Sequence, residues 1–178
     1  MKKTLFFSTI LCIAFFGFRA PEPPPVDNFC TQLNKMLDAA KEGFEPVKGT
    51  ATTRMITGTE KNFFVSNVKF VDGRECYIND VQSYPECECV LETDTRITEK
   101  LSASYDAYKK QIKECIGEEW IITEKDSTND FYLKDTKYKK LVVKNKIERK
   151  MKFHLYIYSS MIEKKRVVEL KFEGLGKK

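Results

Sequence analysis

The chain has 178 residues, a formal net charge of +5 and 42% hydrophobic residues. No stretch after residue 20 approaches the roughly 20 apolar residues of a membrane span, and the length beyond it is that of one ordinary domain. Three basic groups and no acid lie in residues 1–20, so the remainder carries only +2; with no nucleic-acid-binding motif present, the charge does not point to nucleic acid.

Residues 1–20, MKKTLFFSTILCIAFFGFRA, have the form of a secretory signal peptide: Lys2 and Lys3, then an uncharged run from Thr4 to Phe18. Cleavage after Ala20 or after Gly17 places a phenylalanine three positions before the cut, where a small residue is preferred. An uncleaved anchor and a lipoprotein anchored at Cys12 are the alternatives, the second opposed by Leu11. Residues 21–27, PEPPPVD, read as a stiff linker, and residues 28–178 as a single α+β domain.

Asp27 is positioned to cap a helix beginning at Asn28. Phe29, Leu33, Leu37, Ala40 and Phe44 form one apolar helical stripe, and Gly43 suits its end. From Gly49 to Glu92 the texture turns to Thr, Val, Phe and Ile broken by GTE, DG and SYP, which predicts a meander of antiparallel strands. A second helix is expected over about Thr98–Ile116, with the stripe Leu101, Tyr105, Tyr108, Ile112 and Cys115 and a stop at Gly117. Strands follow at EWIITEK, DFYLKD, KKLVVKN, KMKFHLYIYSS and KRVVELKF. The order is helix, strands, helix, strands, and the simplest layered solution is an antiparallel sheet with both helices packed on one face.

In KMKFHLYIYSS the strand period of two separates two sets. Met151, Phe153, Leu155 and Ile157 are predicted core. Lys152, His154, Tyr156 and Tyr158 are predicted to line the open face and form the candidate binding surface, since tyrosine joins a rigid apolar ring to a hydrogen-bonding tip. His154 reads as an exposed surface residue.

An exported chain meets an oxidising compartment, where five cysteines remain after Cys12: Cys30, Cys76, Cys87, Cys89 and Cys115. GRECYIND and PECECVLE look like two arms of a hairpin. Cys87 and Cys89 share a face, so Cys76 can pair with either. Cys30 and Cys115, each on a candidate helix, are natural partners if the helices pack antiparallel. One thiol is left over. A metal site is opposed by the single histidine and the lack of a Cys-x-x-Cys pair. A redox pair is opposed by the strand setting and by Glu88 between the two thiols.

Charge is divided unevenly: Lys134 to the end carries +10 and residues 21–133 carry −8. The division fits an acidic protein or envelope ligand, lipid headgroups included. There is no phosphate loop, no Gly-x-Ser-x-Gly and no His-Glu-x-x-His. No residue is marked as catalytic, and no cofactor or metal is implied.

The segments FCTQLNKMLDAAKEGFEPVKG and CYIN, with the layout above, resemble a loose group of small exported bacterial proteins of unknown function, with sheets similar to the YbjN and type III secretion chaperone fold. The resemblance implies a binding or chaperone-like role and carries over no catalytic residues. The expectation is a periplasmic or secreted, non-enzymatic binding module. The alternatives are a small secreted enzyme with a site assembled from distant residues, or an inhibitor of a secreted hydrolase.

Overall fold

A computed structural model describes residues 26–56, 58–80, 84–126, 138–160 and 165–176. The signal-like segment, most of the proline-rich linker and the expected strand DFYLKD lie outside the described residues.

Helix α1 spans Val26–Lys41, and a one-turn 3-10 helix, Glu45–Val47, follows it. Four strands come next: β1 (Lys48–Ile56), β2 (Thr59–Ser66), β3 (Cys76–Asn79) and β4 (Glu86–Asp94). Helix α2 spans Glu99–Cys115, and β5 (Trp120–Asp126), β6 (Lys139–Asn145), β7 (Lys152–Ser160) and β8 (Lys165–Glu173) follow. Among the described residues eight strands form one sheet in the order β1-β2-β3-β4-β8-β7-β6-β5, with every pairing antiparallel. Each half is thus a helix followed by a four-stranded meander. The halves join where the last strand of one pairs with the last strand of the other.

Helix α1 is described from Val26, two residues before the start expected at Asn28. Its end is a sharp reversal. Gly43 and Phe44 both take left-handed backbone, with φ of 64° and 67°. That conformation costs a phenylalanine about 1–2 kcal/mol. Phe44 is fully buried, and its side chain recovers more than that cost. Helix α2 starts on Thr98, whose hydroxyl accepts from the Leu101 backbone N–H at 3.2 Å.

One core lies between the helices and one sheet face. Phe29, Leu33 and Met36 of α1 and Leu101, Tyr105 and Ile112 of α2 enter it from the helical side. Cys87, Cys89 and Leu91 of β4, Leu141 and Val143 of β6, Phe153, Leu155 and Ile157 of β7, and Val168, Leu170 and Phe172 of β8 meet them. Both helices therefore pack on the same face.

Two disulfides tie this core. Cys76 and Cys89 face each other across β3 and β4 and are bonded, with a Cα separation of 4.2 Å. Cys30 and Cys115 are bonded at 5.1 Å, which sets the start of α1 beside the end of α2. In the chain-entropy account the first contributes roughly 3 kcal/mol and the second, closing a much longer loop, roughly 4–5 kcal/mol. Among the described residues Cys87 is the remaining thiol, buried opposite Ile78. Among the described residues no helix is long and apolar enough to cross a membrane.

Candidate functional site

The sheet face turned away from the helices is read from the strand registers. One row of neighbours runs Val65, Tyr77, Glu88, Lys171, His154, Val142, Thr123 from β2 to β5. A parallel row holds Glu86, Glu173, Lys152 and Lys144, and another holds Val90, Glu169, Tyr156 and Lys140. Opposite charges therefore sit directly across or diagonally from one another, where side chains on paired strands interact.

The four candidate residues of β7 do share this face, but they do not form one open surface. His154 is only 5% exposed, so the expectation of a surface histidine is corrected. Its Nε2 lies 2.9 Å from Glu173 Oε1, and its Nδ1 is buried with no partner. Burial lowers its pKa to about 4, outweighing the pull of Glu173, with Lys140 adding to the lowering. The ring is thus neutral at pH 7, and Nε2 donates to the carboxylate. Tyr156 and Tyr158 are half-buried. Lys152 donates to Glu173 at 2.7 Å. Burial works against the charge of Glu173, but its hydrogen bonds from Lys152 and His154 prevail and hold its carboxyl below the ordinary value.

Lys152 belongs to a basic notch at the end of the face near the β6–β7 turn. Its volume is about 360 Å³, and Tyr84, Lys144, Arg149, Lys150 and Glu173 also line it. Lys144, Arg149 and Lys150 are exposed and have no ion pair among the described residues. The turn itself is closed by hydrogen bonds. Asn145 Oδ1 accepts from the backbone N–H groups of Ile147 and Glu148, each at 2.9 Å. The Met151 N–H closes the turn on Glu148 O at 2.8 Å. Ile147 stands at its tip, 86% exposed.

Tyr156 and Tyr158 belong instead to a cleft of about 350 Å³, lined also by Glu88, Tyr138, Ser159, Glu169 and Lys171. The ring centroids of Tyr138 and Tyr156 are 6.1 Å apart, and those of Tyr156 and Tyr158 are 5.8 Å apart. Lys140 Nζ sits 4.8 Å from the centre of the Tyr156 ring. Lys171 is bound on two sides, by Glu86 at 2.7 Å and Glu88 at 3.3 Å. Glu169 is 6% exposed, and Tyr158 Oη donates to its Oε2 at 3.0 Å. No cation lies within ion-pair reach of it among the described residues. Burial, then the charge of Glu88, raises its pKa to about 7, against the opposing effects of Tyr158, Lys171 and Arg54.

The cysteine left over is chemically quiet. Burial, then Glu88 and Glu169, pushes the Cys87 thiol far above its ordinary range. Among the described residues no group of acidic, histidine and cysteine side chains is arranged to hold a metal ion. Sequence reasoning missed Glu169, Glu88, Tyr138 and the Lys144–Arg149–Lys150 set. The alternation in KRVVELKF places Glu169 and Lys171 on one face, but only the pairing of β8 with β4 and β7 brings Glu88 and the tyrosines to them. No family model matches the chain, and no curated protein and no solved structure does either.

Proposed function

We propose that the protein is an exported, non-enzymatic binding module that docks on an acidic envelope ligand through the β6–β7 turn. The observation that carries this reading is the turn's build: an exposed Ile147 on a backbone fixed by Asn145, with Lys144, Arg149 and Lys150 around it and no counter-ion for those three among the described residues. Residues 144–152 hold five bases and the single acid Glu148. Basic groups beside an anionic surface contribute about 1 kcal/mol each, falling off within a Debye length. An apolar tip adds the anchorage such surfaces favour.

The two disulfides support export, because such bonds persist in oxidising compartments. A chaperone-like role, implied by the resemblance of the layout, would use the same turn. The neutral His154 with an unpartnered Nδ1 and the protonated Cys87 offer no activated nucleophile, which favours binding over catalysis.

The test is sedimentation with vesicles of phosphatidylglycerol or of phosphatidylcholine, beside a titration with poly-L-glutamate. Binding to the anionic vesicles, weakened by salt and lost in a Lys144→Gln, Arg149→Gln, Lys150→Gln variant, is expected. Ile147→Ser should weaken vesicle binding and leave poly-L-glutamate unaffected. Equal binding by wild type and the triple variant would overturn the reading.

A further inference from the structure

The tyrosine cleft lies apart from the turn and has a different chemistry. Its walls combine aromatic rings with a carboxylate that the fold has removed from water and that has no ion-pair partner among the described residues. Tyr138, Tyr156 and Tyr158 supply the rings, and Glu169 supplies the carboxylate. Ring faces are negative and attract cations, most strongly where water is excluded, and several rings beside an acid form the usual receptor for an ammonium group. The cleft's volume of about 350 Å³ falls within the size range of small-molecule sites.

We infer that this cleft binds a small organic ammonium ion, its charge seated among the tyrosine rings and its counter-charge supplied by Glu169.

Two resident cations bear on this assignment. Lys171 lines the same cleft, but Glu86 and Glu88 hold its ammonium between them. Lys140 lies over Tyr156, which shows that this ring already draws positive charge. The groups acting on Glu169 are Glu88 of β4, Lys171 of β8, Tyr158 of β7 and Arg54 of β1. Arg54 is stacked 4.1 Å from the centre of the Tyr77 ring on β3, which holds its charge to that side. A neutral sugar would use the same rings and hydrogen-bonding groups without needing the charge. The two ligand classes therefore differ in how binding responds to pH.

The experiment is an NMR titration of the full chain with choline, with its uncharged isostere 3,3-dimethylbutan-1-ol and with methyl glucoside. Choline should shift the resonances of Tyr156, Tyr158 and Glu169, and the isostere should bind at least tenfold more weakly. Between pH 8 and pH 6 choline affinity should fall roughly tenfold as the Glu169 carboxyl takes up a proton. Glu169→Gln keeps an acceptor for Tyr158 and should lose choline tenfold or more. Tyr156→Leu keeps apolar bulk and should lose choline while retaining any weak affinity for the isostere. Equal binding of choline and the isostere, binding of methyl glucoside alone, unchanged choline affinity in Glu169→Gln, or no choline binding would each overturn the assignment. None of these results bears on the turn.

Discussion

Lys150 at the β6–β7 turn and Glu169 in the middle of β8 both carry ionisable side chains, yet Lys150 is exposed and Glu169 is 6% exposed. Their surroundings are drawn from similar residue types, lysine, glutamate and tyrosine. At the notch the bases stay in water, so their charge acts outward and is screened by salt. In the cleft the acid has lost its water, so its charge acts on neighbours a few ångströms away and on its own protonation. Burial, more than residue composition, thus decides how the charges at each place act.

The largest effect is expected at Glu169. Its pKa is raised from the ordinary 4.5 to about 7, so the folded state holds the proton more tightly than the unfolded chain. Stability from this group is full below pH 4.5, falls as pH rises toward 7, and is gone above that. The accumulated cost is about 3 kcal/mol. Glu169→Gln should accordingly leave stability unchanged near pH 4 and raise it by about 3 kcal/mol at pH 8, as measured by urea unfolding across pH.

The same series sharpens the picture at His154. Its pKa is lowered from 6.5 to about 4, so its contribution is present above pH 6.5 and is lost as pH falls toward 4. Between pH 4.5 and 6.5 the two residues slope in opposite directions in the wild type. Glu169→Gln should expose the His154 slope, with stability dropping as the solution is acidified.

Glu173 joins the two regions, since it accepts from Lys152 of the notch and from His154. Glu173→Gln should cost about 1–2 kcal/mol at pH 7, by weakening two charge-assisted hydrogen bonds. The smallest effect belongs to the turn. Arg149→Gln with Lys150→Gln should change stability by no more than about 0.5 kcal/mol, because both side chains are exposed and neither has an ion pair among the described residues. A large loss in that variant would show that the turn's bases hold the fold together.

Much of the framework was legible in the residues. The period-two alternation in KMKFHLYIYSS placed Phe153, Leu155 and Ile157 in the core, and each is fully buried. The hairpin reading left Cys76 a choice of two partners, and the register takes Cys89 because Cys87 stands opposite Ile78. The junction of β4 with β8 was not legible, because it pairs segments some eighty residues apart with no local signal linking them. That junction assembles the cleft, so Glu88 and Glu169 could not be paired from sequence. The burial of His154 was hidden for a similar reason: its neighbours Glu173 and Lys171 come from β8, and the strand pattern reports a side, not its depth.

The most direct measurement is a carbon-13 NMR titration of the Glu169 side-chain carboxyl in the folded protein. A midpoint near pH 7 is expected, returning toward the ordinary range when choline is bound. A midpoint near 4.5 in the free protein would contradict it, since the cleft would then be as wet as the turn.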